Sequence, residues 1–230
     1  MENIPFYVYA AFSLTIFATL YLFYRATKKS KGFIVLLSIW ITVQSVIGIL
    51  GFYTLTNSIP PRFPFLLLPP LVFTIVQFTT KRGVLFIDSL DLKSLTIIHV
   101  IRIPVELILY WLFIAKAVPQ LMTFEGRNFD IISGITAPFV YYFGFVEPKL
   151  TKSILIGWNV LCIGLLLNIM INGMLSAPTQ IQQFGFEQPN IAVLHFPFIF
   201  LPACIVPIVL FSHLASIRQL ILNNNQTNKK

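Results

Sequence analysis

Residues 92–119 have the sequence LKSLTIIHVIRIPVELILYWLFIAKAVP, an apolar run long enough to cross a bilayer. The middle of this run contains three ionisable side chains. His99, Arg102 and Glu106 are three and four residues apart, so a helix places them on one stripe. Ionisable side chains are costly at the centre of a bilayer, so we expect this stripe to face protein or trapped water. The segment predicts a transmembrane helix with distinct inner and outer faces.

The composition of the whole chain indicates a membrane protein. Of its 230 residues, 57% are hydrophobic and 10% charged, which is more apolar surface than a soluble domain buries. The net charge of +8 comes from short basic clusters between apolar runs, a pattern typical of membrane-flanking anchors and not of nucleic-acid binding. Cys162 and Cys204 both lie in apolar runs, so neither a disulfide framework nor a CxxC site is expected.

Further apolar runs on both sides of this segment predict an all-α, polytopic protein with seven transmembrane helices in one domain, residues 1–222. The predicted spans cover residues 4–24, 32–53, 63–78, 94–118, 131–145, 154–174 and 191–214. Asp91 or Ser94 is expected to cap the fourth span. The first run has only Glu2 before it and its basic residues after it, so we interpret it as a retained anchor and not a signal peptide. Residues 223–230 are predicted to form a disordered cytoplasmic tail.

The basic residues predict an orientation. Twelve of the sixteen Lys and Arg residues fall on one side of this arrangement, three on the other, and Arg102 lies within the membrane. The twelve are Arg25, Lys28, Lys29, Lys31, Lys81, Arg82, Lys93, Lys149, Lys152, Arg218, Lys229 and Lys230, and the three are Arg62, Lys116 and Arg127. The positive-inside rule then puts the N-terminus outside and the C-terminus in the cytoplasm, with the chain in the cell (inner) membrane.

Two segments resemble each other without gaps. RFPFLLLPPLVFTIVQF at residues 62–78 and HFPFIFLPACIVPIVLF at residues 195–211 share the FPF motif and align Pro69 with Pro202. A weaker similarity relates residues 31–40 to residues 149–158, so the chain is interpreted as three spans, one linker span and three spans, a parallel repeat. This order resembles SWEET-type sugar transporters at the level of topology, as a likeness of layout.

The centre of the fourth span is the first candidate site. Glu106 lies about twelve residues into its helix, roughly 18 Å along the axis and near mid-membrane. Arg102, one turn earlier, is its expected partner by i, i+4 spacing. The pair either neutralises itself and fixes helix docking, or forms a substrate or proton site. Pro104 between them frees the carbonyl of Val100, which adds an acceptor.

Polar residues nearer the outer side form the second candidate group. Asn168 and Asn172 on the sixth span are four residues apart and either line a polar ligand site or hold helices together. With His195 and the loop between spans four and five, they are hypothesised to form a vestibule above Glu106, although Asn128 and Asp130 can equally serve as cap and dipole partner of the fifth helix. The candidate site residues are His99, Arg102, Glu106, Glu125, Arg127, Asp130, Asn168, Asn172 and His195.

Prolines in corresponding regions of the third and seventh spans indicate where these helices bend or break. Pro69 and Pro70 on the third span, and Pro197, Pro202 and Pro207 on the seventh, indicate either broken helices at a transport site or static kinks.

Several known site types are not supported. A retinal protein needs a mid-membrane lysine, and Lys116 lies near the outer end of its span. A three-histidine zinc site is not expected, because His195 and His213 are roughly 27 Å apart on one helix. His99 and His213, with Asp88 or Asp91, remain a weaker metal alternative. The sequence contains no GxSxG, HExxH or phosphate-binding glycine loop.

The sequence therefore favours binding or transport of a small polar or amphiphilic molecule at a buried polar site around Arg102 and Glu106. The alternatives are a membrane-embedded enzyme acting on a lipid or isoprenoid, with Glu106, Asp130 or His195 as acid or base, and a receptor or partner subunit without its own chemistry. Membrane lipids and an unknown small molecule are the expected partners, a homo-oligomer stays open, and nucleic acid is not expected. No cofactor can be named, and no metal is expected.

Overall fold

The computed structural model describes residues 4–227, with backbone alone for residues 223–227. These residues form helices, turns and loops, and no strand. The helices are α1 (Phe6–Ala26), α2 (Lys31–Ile49), α3 (Pro64–Thr79), α4 (Lys81–Ser89), α5 (Leu92–Ile114), α6 (Ile131–Val146), α7 (Lys152–Leu175) and α8 (Val206–Thr227). Short 3₁₀ turns cover Phe52–Thr54, Gln120–Met122 and Ala192–Leu194, and a π-helical turn, Leu201–Ile205, leads into α8.

Five helices are long and apolar enough to cross a membrane: α1, α2, α5, α7 and the segment Leu201–Leu222. They correspond to the first, second, fourth, sixth and seventh predicted spans. The third and fifth predicted spans correspond to α3 and α6, which have sixteen residues each. What the described residues establish is an all-helical chain with five candidate spans, or six if the bent pair of α3 and α4 counts as one.

The segment after α3 is a separate short helix. Helix α4 leaves α3 at an angle of 93°. Thr80 begins it, since its Oγ1 accepts a hydrogen bond from the amide of Gly83 at 3.2 Å. The guanidinium of Arg218 on α8 donates to both carboxylate oxygens of Asp88 at 2.9 and 3.1 Å, which ties α4 to the end of the bundle.

Helix α5 lies at the centre of the packing, in contact with α1, α6 and α8. The carboxylate of Asp91 accepts from the amide and hydroxyl of Ser94 at 2.9 and 2.6 Å, which confirms Asp91 as the cap. The middle turn of α5, Ile98–Ile101, is a tighter 3₁₀ helix, after which the α-helix restarts at Arg102. Pro104 is therefore in the first turn of the restarted segment, where a missing amide donor is tolerated.

The two similar proline segments adopt different backbones. Helix α3 continues through Pro69 and Pro70 without a break. The matching residues 195–211 form a turn, the π-helical turn and then the start of α8. The predicted break is thus present on the seventh span alone, since α3 accommodates Pro69 and Pro70, its sixth and seventh residues, in a regular helix.

A tryptophan on α2 replaces the hydrogen bond that Pro207 removes from the seventh span. Pro207 has no amide donor for the carbonyl four residues earlier, that of Ala203. The indole Nε1 of Trp40 on α2 donates to this carbonyl at 2.8 Å. Helix α2 otherwise buries little more than Gln44 and Gly48, and its apolar side chains are largely exposed on the outside of the bundle.

The last helix extends beyond its predicted end. Helix α8 includes residues 223–227, where the sequence predicts a tail, while residues 228–230 lie outside the described residues. Glu2, Lys229 and Lys230, which contribute to the predicted orientation, also lie outside them.

Candidate functional site

Polar side chains from three helices and one loop meet in the interior, and we call them the polar cluster. Each is at most 5% exposed. The cluster consists of His99, Arg102 and Glu106 on α5, Asn128 and Asp130 before α6, Asn159 on α7 and His213 on α8. Burying so many polar groups is favourable only if they bind one another or a ligand.

Arg102 is the centre of the polar cluster. It forms an ion pair with Asp130, and its Nη1 also lies 3.4 Å from the carbonyl oxygen of Cys162. Its Nη2 lies 3.1 Å from Nε2 of His213. A guanidinium has donors only, so Nε2 of His213 must be the acceptor. Arg102 thereby connects α5 with α6, α7 and α8.

The contacts of His213 fix its tautomer. With Nε2 as acceptor, the ring proton is on Nδ1, which lies 2.8 Å from Oδ1 of Asn159 and donates to it. The amide nitrogen of Asn159 in turn donates to the carbonyl of Leu155 at 2.8 Å, which fixes the orientation of the amide. His213 is therefore a neutral imidazole held at both nitrogens.

Glu106 has a different set of partners. Its Oε1 accepts a hydrogen bond from Nδ2 of Asn128 at 2.5 Å. The same Nδ2 donates to the carbonyl of Met122 at 3.0 Å, and Oδ1 of Asn128 accepts from the amide of Asp130 at 3.1 Å. Asn128 thus fixes the loop before α6 onto α5. It does not cap α6 as one alternative expected, because its bond to the amide of Asp130 precedes the helix, which has no side-chain cap.

The expected ion pair between Arg102 and Glu106 is not formed among the described residues; Arg102 pairs with Asp130 instead. Two physical reasons account for the difference. An arginine that precedes a glutamate by four residues is in the poorer order for a helical pair, because helical side chains lean towards the N-terminus. The long guanidinium also reaches an acceptor on a neighbouring helix that spacing along α5 cannot reveal.

His99 packs by its ring alone. It stacks on His213 with ring centroids 3.6 Å apart and an interplanar angle of 9°, and it meets Trp158 edge to face at 5.5 Å. Neither of its ring nitrogens has a hydrogen-bond partner in the described part of the chain.

Unpartnered polar atoms concentrate in the polar cluster. Of the seven buried side-chain nitrogen and oxygen atoms without a partner among the described residues, four belong to it. They are Nδ1 and Nε2 of His99, Nε of Arg102 and Oε2 of Glu106. Each such atom costs free energy when it is left unpaired, so these four are the atoms that a ligand would satisfy.

The other candidate residues, which we call the outer polar group, do not share a hydrogen bond with the polar cluster in the described residues. Asn168 donates to the backbone carbonyl of Arg127 at 2.7 Å and accepts from Asn172 at 3.1 Å. Nδ1 of His195 bonds the carbonyl of Ile191 at 2.9 Å, one turn back. The outer polar group consists of Glu125, Arg127, Asn168, Asn172 and His195, of which Glu125 and Arg127 are exposed.

No protein-family model matches this chain, and neither a curated protein nor a solved structure is similar to it. The site must therefore be interpreted from its own geometry.

The weaker metal hypothesis for His99 and His213 is not supported by the geometry. Asp88 is bound to Arg218, and Asp91 caps α5. Within residues 4–227, no group of three or more His, Cys, Asp or Glu side chains is arranged to hold a metal ion.

Three members of the polar cluster were missed as site residues. Asn128 was expected only as a cap of the fifth helix. Asn159 carried no assigned role, and His213 was considered only for the metal alternative. Both are isolated polar residues inside long apolar runs, a signal that could have selected them.

Proposed function

We propose that this chain is a seven-span protein of the cell (inner) membrane that binds or transports a small polar or amphiphilic molecule at the polar cluster. In this arrangement the N-terminus is outside and the C-terminus is cytoplasmic. The four unpartnered atoms of His99, Arg102 and Glu106 carry the proposal, because a purely structural cluster is expected to satisfy its own buried groups.

Contacts at the two ends of the helices support the seven-span topology. At the end with most basic residues, the amide of Asp91 donates to the carbonyl of Ala26 at 2.9 Å, and Arg218 binds Asp88. At the other end, the amide of Ile191 donates to the carbonyl of Ala117 at 3.0 Å. These pairs agree with helices that alternate in direction along the chain.

The short helix α6 fits this topology because it starts inside the protein. Sixteen residues extend about 24 Å, less than the roughly 30 Å of a hydrocarbon core. The preceding loop supplies the remaining depth, since Asn128 and Asp130 are buried against α5. Irregular backbone at membrane depth is tolerated where it is enclosed by protein, as here.

Depth also supports a functional cluster. Arg102 is ten residues into α5, about 15 Å from its start and near the middle of a bilayer. Ionisable residues at this depth commonly mark substrate, ion or proton pathways.

The charge balance indicates what the site can accept. Asp130 neutralises Arg102, and His213 is neutral by its hydrogen bonds. The carboxylate of Glu106 then has no cationic partner of its own within hydrogen-bond reach among the described residues. A proton, a cationic group or a hydroxylated ligand satisfies it, so the proposed ligand presents a donor to Glu106.

Two π-helical turns adjoin α6 and α8, and they favour transport over static binding. One, Tyr142–Val146, ends α6, and the other, Leu201–Ile205, precedes α8. Such turns occur often at functional sites and where helices bend. The proposal keeps the parallel repeat only as an order of spans, because the two similar proline segments have different backbone conformations.

An apolar pocket elsewhere does not favour the enzyme alternative. It has a volume of about 160 Å³ and lies between α1, α2, α3 and the start of the seventh span, next to Trp40 and Phe211. None of the polar-cluster residues lines it, so a lipid held there does not meet an acid or base of the cluster.

The function is tested in proteoliposomes loaded with a pH-sensitive dye. Pools of sugars, amino acids, polyols and organic cations are added outside, and internal pH and tracer uptake are recorded. We expect uptake of at least one class by the natural chain, its loss in Glu106→Gln and its retention in Glu125→Gln, a matched change at an exposed residue. Absence of uptake from every pool, with conversion of extracted lipids detected by mass spectrometry, would support the enzyme instead.

The orientation is tested separately by cysteine labelling on intact cells. The natural cysteines are buried, so the background is low. Thr56→Cys and Gln182→Cys are expected to react with a membrane-impermeant maleimide from outside, and Ser30→Cys only after permeabilisation. Labelling of Ser30→Cys on intact cells contradicts the proposed orientation.

A further inference from the structure

All three methionines after Met1 line one small pocket. The chain has four methionines in total. Met122 follows α5 in a 3₁₀ turn, and Met170 and Met174 are on α7. All three line a pocket of about 50 Å³ between α3, α7 and the start of the seventh span. Methionine commonly fills irregular gaps in cores, so the contacts at this pocket decide whether these three do more.

The three methionines meet beside one face of α7. Residues 170, 173 and 174 lie on the same helical face by their i, i+3 and i+4 spacing. Residue 173 is glycine, and a Cβ placed there would lie 3.2 Å from Cε and 3.6 Å from Sδ of Met122. The sulfur of Met122 therefore rests on the bare backbone between Met170 and Met174.

A second observation at the same pocket points to a ligand. Asn190 is fully buried and lines the pocket, and its Nδ2 donates to the carbonyl of Gly173 at 3.1 Å. Its Oδ1 has no partner among the described residues. A buried amide oxygen left unpaired is costly, so Asn190 offers an oxygen to an occupant of the pocket that the three methionines also line.

The donor set selects the chemistry. Thioethers are soft ligands, and soft sulfur donors select Cu(I) among biological metals. Magnesium and calcium require six or more oxygen ligands, and zinc sites use thiolate, imidazole or carboxylate groups that this pocket lacks. We propose that Met122, Met170 and Met174 form a Cu(I) site, with Oδ1 of Asn190 as a weaker fourth contact.

Charge balance is consistent with a monovalent cation. Three thioethers and an amide are neutral, so the ion keeps its single charge. The carbonyl of Met122 and the carboxylate of Glu106 share the amide Nδ2 of Asn128 as donor, which places one acidic group close to the methionine turn. The site does not depend on the function proposed for the polar cluster.

The test is a competition titration of the purified full chain in detergent, kept reduced with ascorbate, against the Cu(I) chelator bicinchoninate. We expect the natural chain to remove one Cu(I) per molecule from the chelator. Met122→Leu, Met170→Leu and Met174→Leu should each weaken Cu(I) binding at least about tenfold, and the triple variant should not compete. Leucine is close to methionine in volume, so the melting temperature without copper should stay near that of the natural chain.

Buried thiols are the alternative ligands, and two further measurements exclude or reveal them. A Cys162→Ala, Cys204→Ala variant should keep the copper. In selenomethionine-labelled protein, selenium-edge absorption should show a copper neighbour after loading. Retention of copper by the triple leucine variant, its loss in the cysteine variant, or the absence of a copper neighbour at selenium would overturn the proposal and leave these methionines as packing residues.

Discussion

The polar cluster and the outer polar group contain the same kinds of residue but differ in how they are held. In the cluster, Arg102 binds Asp130 and His213 across helices, 28 and 111 residues away in sequence. In the outer group, Asn172 and His195 bond partners four residues away on their own segments. Asn168 reaches a more distant partner, but it is the backbone carbonyl of Arg127, an exposed residue. The difference shows that residue type and proximity along the chain do not identify the site; burial and partners on several helices do.

The loop before α6 shows the same difference in burial between polar residues that are neighbours in sequence. Glu125 and Arg127 are exposed, whereas Asn128 and Asp130 are buried against α5. Electrostatic interactions strengthen as water is excluded, so equivalent substitutions in the two groups should have very different effects. Matched pairs of variants test this directly.

Loss of the central cation should have the largest effect. Arg102→Met leaves Asp130 buried without its partner and removes a donor from His213, so we expect a loss of about 3–5 kcal/mol in the free energy of unfolding. Arg127→Met removes an exposed charge and should change stability by no more than about 0.5 kcal/mol. Thermal unfolding in detergent, followed by tryptophan fluorescence, measures both.

A double variant sharpens this comparison. Arg102→Met with Asp130→Asn removes both charges, so it should be more stable than Arg102→Met alone. Additive losses would show that the two side chains do not form an ion pair, and equal effects of Arg102→Met and Arg127→Met would remove the distinction between the two groups.

The histidines give the next largest effect. His213→Ala leaves Nη2 of Arg102 and Oδ1 of Asn159 each without a hydrogen-bond partner and removes the stacking surface of His99, at a cost of about 2–3 kcal/mol. His195→Ala removes one local bond of a half-buried ring and should cost about 0.5–1.5 kcal/mol. Urea unfolding in mixed micelles compares the two variants, and a smaller loss for His213→Ala than for His195→Ala contradicts the arrangement described here.

Much of the fold could be predicted because it depends on long apolar runs. Helices α1, α2, α5 and α7 follow from runs of transmembrane length, and Asp91 follows from its position before one of them. The bend before α4 could not be predicted in this way, since α4 is short and mixed in polarity. The buried start of α6 was also hidden, because a polar loop is normally assigned to solvent.

Within the polar cluster, only the stripe along α5 and Asp130 in the following loop could be predicted as site residues. The stripe of His99, Arg102 and Glu106 follows from helical spacing, and all three residues are in the polar cluster. Their partners could not be predicted, because Asp130, Asn159 and His213 are brought to them by tertiary packing over long sequence separations. The i, i+4 rule favoured Glu106 as the partner of Arg102. The packing of α5 against α6 instead brings Asp130 to Arg102.

The smallest effect on stability is expected where the effect on activity is largest. In Glu106→Gln, the side-chain oxygen can still accept from Asn128, and Arg102 keeps its pair with Asp130, so stability should change by no more than about 1 kcal/mol. If instead Arg102 depended on Glu106, the same change would leave a buried charge unpaired and cost several times as much. Under the proposed function, Glu106→Gln is folded and inserted but loses uptake, whereas Glu125→Gln keeps both. Uptake per monodisperse molecule, measured beside the unfolding curve, separates these outcomes: undiminished uptake in Glu106→Gln excludes Glu106 from the site and leaves the ion pair of Arg102 and Asp130 as its only charged part.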